Sequence, residues 1–316
     1  MPARSRSSLL GDIDVSVELD VRLGSMTYFV VGGRADTLVR PRTPEALTTL
    51  IRRCRDSDVP IRVLGKGANL LIDDIGVGGV IVSLSEPCFR KWEFNKVGSV
   101  DSLQVMAGAD MAETLMNSVR AGLDGLTAMA GIPATIGGAI RMNAGGRFGC
   151  ISDALSTVTC VTSGGKRVTY PREEVSFGYR ESRIAEPIVL SATFALRRED
   201  PVAIRSRVHE IFAWKTSRQP LADSSAGCAF KNPLDPETGE RMSAGKLIDR
   251  AGLKGLAVGG AMVSDQHANF IVTSPDATAR HVMHLIEEVR TRVQEHCGVL
   301  LQQEVVVWSR DEDVRP

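Results

Sequence analysis

Two glycine-rich stretches have the composition of backbone surfaces that bind anions. The first, Gly65 to Leu71, directly follows an apolar run, and the second, Ala130 to Gly149, contains six glycines and almost no charge. Glycines allow close approach of the backbone to a ligand, and successive N–H groups in such a loop can cradle a phosphate. We therefore expect a large, phosphate-bearing ligand to lie against this backbone.

The first stretch is a weak signal when taken alone. Its pattern is GxGxxL, so the dinucleotide-binding fingerprint GxGxxG lacks its third glycine, and the pattern GxxxxGK[ST] is absent. A plain turn is the simplest interpretation of this loop. The second stretch follows about 65 residues later, and two neutral, glycine-lined backbones together favour a pyrophosphate over a metal–phosphate site.

Three polar residues are candidates for the chemistry, although each also has an ordinary structural interpretation. Arg180 lies between Tyr179 and Glu181 near an expected strand end, where it can equally be a surface arginine paired with a glutamate. Glu304 lies in the run QQEVVV; its carboxylate must be paired or protonated if buried, but can also face outward from a strand. Cys228 follows a glycine in a polar loop that we expect to be exposed, where it can be a small filler residue.

The composition narrows the class of protein. The 316 residues are 43% hydrophobic and 24% charged, which is typical of a globular protein with two or three domains. The 38 basic residues balance the 38 acidic ones without a basic stripe interleaved with aromatics, so we expect no nucleic-acid partner. No apolar run follows the basic N-terminus or approaches the roughly 18 residues of a membrane span, which predicts a cytoplasmic protein without membrane insertion.

The cysteines and histidines do not indicate a metal site. The six cysteines include no CxxC pair, and the five histidines form no HExxH cluster. We expect reduced, mostly buried thiols and no bound metal.

Alternating strands and helices must position these candidates. Thr43 followed by Pro44 and Glu45 is typical of a helix start. Apolar periodicity predicts a helix over 201–215 with Phe212 on its inner face, and a helix capped by Asp276 that ends at His296. Further helices are predicted over 111–123 and 243–251, and strands over 27–33, 36–40, 61–64, 80–84, 102–107, 155–162, 167–170, 188–196, 258–263, 269–272 and 299–308.

Nearly the whole chain, from about Leu23 to Trp308, resembles the UDP-N-acetylmuramate dehydrogenase family, also called UDP-N-acetylenolpyruvoylglucosamine reductase or MurB. Several matching segments are common singly, but their order and spacing together are highly specific. They are TYFVVGGRA (27–35), LGKGANLL (64–71) with Asp73, AGIP (130–133), GGA (137–139), MNAG (142–145), YRES (179–182), QP (219–220), AGCAFKNP (226–233), AGKLI (244–248), SDQHANF (264–270) and EV (304–305).

The resemblance implies an α+β fold. A vanillyl-alcohol-oxidase-type FAD-binding fold would consist of two α+β subdomains, residues 1–85 and 86–200, followed by an α+β substrate-binding domain, residues 201–316. FAD would bind non-covalently between the subdomains of an expected monomer. NADPH would reduce the flavin and leave, and the reduced flavin would then pass a hydride to UDP-N-acetylglucosamine enolpyruvate. The product would be UDP-N-acetylmuramate, a peptidoglycan precursor.

The resemblance also implies roles for individual residues. Arg180 would neutralise the developing enolate charge, Glu304 would orient and polarise the substrate carboxylate, with its protonation as a hypothesis, and Cys228 would donate the proton. The implied cofactor-binding residues are Gly65, Lys66, Gly67, Ala68, Asn69, Leu70, Gly131, Ile132, Pro133, Ala134, Thr135, Gly137, Gly138 and Asn143. The implied substrate-binding residues are Tyr179, Lys231, Asn232, Arg218 and Gln219.

The chain departs from the family pattern in three places. Cys228 stands where most members have a serine; a thiol, with an ordinary pKa of ~8.5, is the stronger acid, and if exposed it should be sensitive to alkylation or oxidation. Ala134 replaces a usual glycine, which is harmless if its φ is negative. Between Arg180 and Ile188 there is no room for the tyrosine-bearing loop that closes over substrate in one branch of the family. The chain thus resembles the shorter branch, and another group must cover the sugar nucleotide.

Two other functions stay open at this stage. Another flavin enzyme of the same fold, such as a 2-hydroxy-acid or alcohol oxidase, is disfavoured because neither glycine stretch contains a histidine that could tether the flavin. A regulatory FAD- or nucleotide-binding module without catalysis is suggested by the cysteine in place of serine. The presence of both Arg180 and Glu304 argues against that module.

Overall fold

The computed structural model describes residues 9–235 and 237–310. Residues 1–8 lie outside the described part, so the structure does not test what the sequence predicts for most of the basic N-terminus. Within that part, no helix is long and apolar enough to cross a membrane.

The first sheet combines an antiparallel edge with a β-α-β unit. Its strand order is β1-β2-β5-β3, in which β1 and β2 are antiparallel and the other neighbours are parallel. The Thr43 hydroxyl caps α1 by accepting a hydrogen bond from the Ala46 N–H at 3.1 Å, as the sequence predicts. The elements are β1 (Val15–Val21), β2 (Ala35–Pro41), α1 (Pro44–Asp56), β3 (Ile61–Leu64), β4 (Leu70–Ile72) and β5 (Val77–Ser83).

The segment 27–33 is an irregular loop, so the strand predicted there is wrong. Val30 has φ +58° and Gly32 has φ +107°, and these left-handed conformations cannot continue an extended strand. The Tyr28 N–H instead donates to the carbonyl of Gly67 at 3.1 Å. The loop therefore holds the first glycine stretch by a backbone hydrogen bond.

The second sheet is antiparallel, with the order β12-β11-β15-β7-β6 and β8 paired to β15. Two short hairpins, β9–β10 and β13–β14, project from this part of the chain. The elements are β6 (Trp92–Val97), β7 (Val100–Met106), α2 (Met111–Arg120), β8 (Leu123–Asp124), α3 (Ile136–Arg141), β9 (Gly145–Gly146), β10 (Gly149–Cys150), β11 (Leu155–Val161), β12 (Arg167–Pro171), β13 (Phe177–Gly178), β14 (Glu181–Ser182) and β15 (Ile188–Arg198).

The remaining chain adds helices around a three-stranded antiparallel sheet, β16-β17-β18. The last strand, β19, leaves this region and pairs in parallel with β4, which begins within the end of the first glycine stretch. The elements are α4 (Pro201–Thr216), α5 (Ala244–Arg250), β16 (Ala257–Val258), β17 (Ala261–Val263), β18 (Ile271–Thr273), α6 (Ala279–Cys297) and β19 (Val306–Trp308).

Helix α4 packs onto the second sheet. Its residues Ile204, Val208 and Ile211 belong to the same buried core as β7, β11 and β15. Phe212 is 50% exposed, so its predicted inward position is wrong. The division of the chain at residue 200 stays a prediction.

Helix α6 begins at a different residue from the predicted one. Thr278 is its N-cap and accepts a hydrogen bond from the His281 N–H at 3.2 Å. The Asp74 carboxylate, from far along the chain, accepts the N–H groups of Ala279 and Arg280, each at 2.9 Å. Asp276 accepts a hydrogen bond from a serine instead, so the predicted Asp276 cap is wrong.

Candidate active site

The two glycine stretches come into contact, and we call the region that they line the cleft. A Cβ atom on Gly65 would lie 2.8 Å from Oγ1 of Thr135, which belongs to the second stretch. Asp110 joins the two sides, because it forms a β-bridge with Thr135 and an ion pair with Lys66. The structure thus brings together the two backbones that the sequence assigned to one ligand.

Several glycines of the second stretch are needed by the fold itself. The Gly137 N–H donates to the carbonyl of Ala107 at 2.8 Å, and a Cβ on Gly137 would collide with the Ala107 side chain. The Gly138 N–H donates to the Thr135 hydroxyl at 3.2 Å. Ala134 is not among the non-glycine residues with positive φ, so its replacement of glycine causes no backbone strain.

The other residues predicted to hold the cofactor belong to the same two stretches. Gly67 and Gly131 adopt φ of +67° and +73°, which favours glycine at both positions. Leu70 buries its side chain in the hydrophobic core, so it can contact a ligand only through its backbone. Four further residues are partly exposed: Ala68, Asn69, Ile132 and Pro133.

Asn143 offers a direct test of whether a flavin fits this cleft. Its backbone is left-handed, with φ +41°, and its side chain is buried. The amide Nδ2 donates to the carbonyl of Gly178 at 2.9 Å, whereas Oδ1 is buried without a hydrogen-bond partner among the described residues. Buried acceptors are rarely left unsatisfied. An amide N–H such as a flavin ring carries would satisfy Oδ1, so these residues fit FAD.

Arg180 occupies the tip of the β13–β14 hairpin. Its φ of +61° is uncommon for a residue with a side chain and belongs to the turn between the two strands. Its Nε donates to Oε1 of Glu304 at 2.8 Å, and the two side chains are only 19% and 10% exposed. The surface pairing of Arg180 with a neighbouring glutamate, considered from the sequence, does not occur.

Glu304 is held by backbone contacts from two sides. Its N–H donates to the carbonyl of Ala229 at 2.8 Å, and its carbonyl accepts Nδ2 of Asn69 at 3.2 Å. Only Val306–Trp308 of the strand predicted over 299–308 forms, because the preceding residues contact the segment around Phe230 instead. Burial raises the pKa of Glu304, while the Arg180 charge opposes this rise.

Cys228 lies beside this pair. The residue forms a β-bridge with Phe270 and is half-buried, so the prediction of an exposed thiol is wrong. Burial raises the pKa of the Cys228 thiol to about 12, with Glu304 adding to the rise and Arg180 and a hydrogen bond from Asn269 opposing it. The thiolate that alkylating reagents require is therefore scarce at neutral pH, and the thiol keeps its proton.

Three of the predicted substrate-binding residues adjoin the Arg180 hairpin. The Tyr179 hydroxyl accepts the Asn232 N–H at 3.4 Å, and Lys231 is close enough to lower the pKa of Glu304. Arg218 and Gln219 are less integrated. Arg218 is exposed and stacks on the Trp214 ring, and within the described residues neither it nor Gln219 forms a hydrogen bond or ion pair with the catalytic candidates.

The sequence did not indicate two cations of this region. The Arg241 guanidinium lies 3.8 Å from the centroid of the Tyr179 ring, and its Nη1 donates to the carbonyl of Asn232 at 2.9 Å. Lys215 lies buried at the end of α4. Its place on the apolar face of a predicted helix was the only available signal, because a lysine at such a position needs an explanation.

Comparison with known proteins gives a consistent result. Residues 35–170 match the family model for the FAD binding domain, and residues 219–308 match that for the UDP-N-acetylenolpyruvoylglucosamine reductase C-terminal domain. The chain is 38% identical over 299 residues to the UDP-N-acetylenolpyruvoylglucosamine reductase of Desulfosudis oleivorans, covering 92% of this chain and 94% of that protein. It is 40% identical over 285 residues to that of Heliobacterium modesticaldum, covering 89% and 87%.

A solved structure is similar over the same extent. The UDP-N-acetylenolpyruvylglucosamine reductase (MurB) from Thermus caldophilus superimposes with a TM-score of 0.74 at 36% identity, covering 93% of this chain and 99% of that one. The predicted α+β fold with an FAD-binding part is confirmed. Because the similarity spans nearly the full length of this chain and of each protein compared with it, the chain belongs to the UDP-N-acetylenolpyruvoylglucosamine reductase family.

Proposed function

We infer that the chain is an FAD-dependent oxidoreductase that reduces UDP-N-acetylglucosamine enolpyruvate to UDP-N-acetylmuramate with NADPH, and we propose roles for its residues. The observation that supports these roles is the Arg180–Glu304 pair with Cys228 beside it, next to the glycine-lined cleft. Bound FAD supplies the hydride that the enol-ether methylene carbon receives. The remaining work, which is to bind, to orient and to protonate, belongs to side chains.

Arg180 and Glu304 act together on the acidic end of the substrate. Hydride addition to the methylene carbon leaves a negative charge on the neighbouring carbon, which delocalises onto the carboxylate attached to it, and a fixed guanidinium can neutralise this charge as it develops. The hydrogen bond to Glu304 uses Nε of Arg180, so the two terminal nitrogens of the guanidinium remain for the substrate. The raised pKa of Glu304 favours its protonated, neutral form, which does not repel a substrate carboxylate nearby.

Cys228 is the proposed proton donor. The carbon next to the new C–H bond takes the thiol proton, and the sulfur retains the electron pair until solvent returns a proton. Because the pKa of Cys228 is raised to about 12, the thiol is protonated before each turnover at neutral pH. The nearby Arg180 charge stabilises the transient thiolate.

An anaerobic flavin assay tests the function. NADPH should bleach the flavin absorbance, and UDP-N-acetylglucosamine enolpyruvate should restore it. Bleaching without restoration by this substrate would contradict the reductase function and favour another flavin enzyme. Failure of the protein to bind FAD at all would favour a different role for the cleft.

We propose that the segment from Leu234 to Arg241 covers the sugar nucleotide in place of the tyrosine loop. Leu234 and Arg241 form a β-bridge, and the Met242 N–H donates to the carbonyl of Pro233 at 2.9 Å, so the two ends of the segment form a fixed base. Arg241 stacks on Tyr179 at that base, which places an exposed cation next to Lys231. A planar guanidinium in this position suits the substrate diphosphate.

Replacing Arg241 with glutamine is expected to raise KM for the enolpyruvyl substrate about 10-fold or more with little change in kcat, since one charge-assisted contact contributes roughly 1.5–3 kcal/mol. Steady-state kinetics with each substrate varied in turn would measure this. Arg250→Gln, which removes an equally exposed arginine at the far end of α5, is the matched control. Equal KM values for both variants would contradict the covering role.

The oligomeric state and the cellular location are also proposals. We propose a monomer and a cytoplasmic location, the latter because NADPH and UDP-sugars are used there. Light scattering of the holoprotein tests the first, and cell fractionation tests the second.

A further inference from the structure

Lys215 is a buried cation that the proposed reaction does not use. The residue is 7% exposed and lies in the last turn of α4. Its Nζ donates to the carbonyl of Ala130 at 2.5 Å, directly before Gly131 in the second glycine stretch. A Cβ on Gly131 would lie 3.3 Å from Cδ of Lys215, so the lysine stem lies against this wall of the cleft.

This cation has no counter-ion of its own. In the chain that the structure describes, no carboxylate forms an ion pair with Lys215, and the charged group that contributes to its pKa shift is the like-charged Arg180. Burial, together with Arg180, lowers the pKa of Lys215 to about 8. A buried, unpaired ammonium is costly, and proteins normally pair or neutralise such groups.

The arrangement leaves an excess of positive charge near the catalytic group. Arg180 shares its charge with Glu304, and Lys215 adds a second cation without adding an acid. An ammonium has three N–H donors, of which the Ala130 carbonyl accepts one. Two donors and a full charge therefore remain for a group that the protein does not supply.

We propose that Lys215 binds an anionic group of a bound ligand at the Ala130–Gly131 wall, as a further binding residue for the reaction proposed above. Two sources carry this chemistry: FAD, through its diphosphate or its reduced ring, and the enolpyruvyl substrate, through its carboxylate or diphosphate. The competing view is that Lys215 only ties the end of α4 to the Ala130 carbonyl. The two views differ in whether the charge matters beyond the fold.

The experiment compares Lys215→Met, which removes the charge at similar length, with Lys215→Arg, which keeps it. Lys254→Met is the control, because Lys254 pairs with Asp249 at the surface. One arm measures FAD affinity of the apoprotein and the flavin midpoint potential. The other arm measures UDP-N-acetylglucosamine enolpyruvate binding to the oxidised holoenzyme through the flavin absorbance. Thermal unfolding of each variant reports the structural contribution.

We expect Lys215→Met to weaken one arm on the order of 30-fold or more, the loss typical of a truncated buried charge pair, and Lys215→Arg to restore most of it. Loss of FAD affinity or a lower potential identifies the cofactor as the source, and loss only in the other arm identifies the substrate. In the wild type, the affected affinity should fall as the pH rises above about 8, where Lys215 loses its proton. Lys215→Arg should abolish this fall, because arginine stays charged.

A different outcome would overturn the proposal. If Lys215→Met unfolds at a lower temperature but leaves both arms within twofold of Lys254→Met, the lysine is a structural tie only. Failure of the proposed function itself is distinguishable, because the wild type would then bind no enolpyruvyl substrate while the FAD arm still decides the role of Lys215.

Discussion

Cys228→Ala is expected to reduce flavin with NADPH at the normal rate but to lose about 10²–10⁴-fold in the rate of reoxidation by enolpyruvyl substrate, the usual contribution of a general acid. The reason is that alanine has no proton to deliver as the second hydrogen, and Glu304 is engaged with Arg180. Anaerobic stopped-flow absorbance separates the two half-reactions in one instrument. Full-rate reoxidation in Cys228→Ala would sink the proposed role.

Cys228→Ser is the matched control for this experiment. The hydroxyl is the donor found at this position in most of the family, and it is smaller than the thiol, so the bridge to Phe270 should persist. We expect Cys228→Ser to retain most of the reoxidation rate. If serine were as inactive as alanine, the size of the thiol rather than its proton would be the property that matters.

Arg180→Met is expected to lower the rate of substrate-driven reoxidation by about 10²–10³-fold, as removal of a fixed donor at a developing negative charge commonly does. Flavin reduction by NADPH should change little. The substitution also leaves Glu304 buried without its partner, so a further rise in its pKa is expected. Half-reaction rates from stopped-flow absorbance and thermal unfolding would measure the two effects separately.

Two additional variants distinguish the possible causes of this loss in rate. Arg180→Lys keeps the positive charge but loses the fork, and activity between wild type and Arg180→Met is expected. The double variant Arg180→Met with Glu304→Gln removes the unpaired carboxylate, so stability should recover while activity does not. If activity recovered as well, the arginine would serve only to neutralise Glu304, and the proposed contact with the substrate would be wrong.

Local rules predicted the regular elements well. The start of α1 at Pro44, the strand Ile61–Leu64 and the helix α5 within 243–251 all follow from residues close in sequence. The errors have tertiary causes. Asp74, distant in sequence, receives the N–H groups at the start of α6, and residues before Val306 contact a neighbouring loop rather than a strand.

The candidate site was harder to obtain from the residues alone. Arg180 and Glu304 are 124 residues apart, and no pattern in either neighbourhood indicates the other. The resemblance to a family supplied the pairing, and the structure supplied its geometry. Arg241 and Lys215 carried no motif, because their importance comes from what they contact in space: the Tyr179 ring and the Ala130 carbonyl.

The parallel pairing of β4 with β19 has a consequence for how the protein is made. Asn69 contacts Glu304 across 235 residues of sequence, and the strand after Glu304 completes the layer beside the first glycine stretch. A ribosome synthesises the chain from the N-terminus, so the early segments leave it long before β19 exists. A nascent chain therefore has no finished catalytic centre until β19 has been synthesised, and a truncation that removes β19 should abolish cofactor retention as well as turnover.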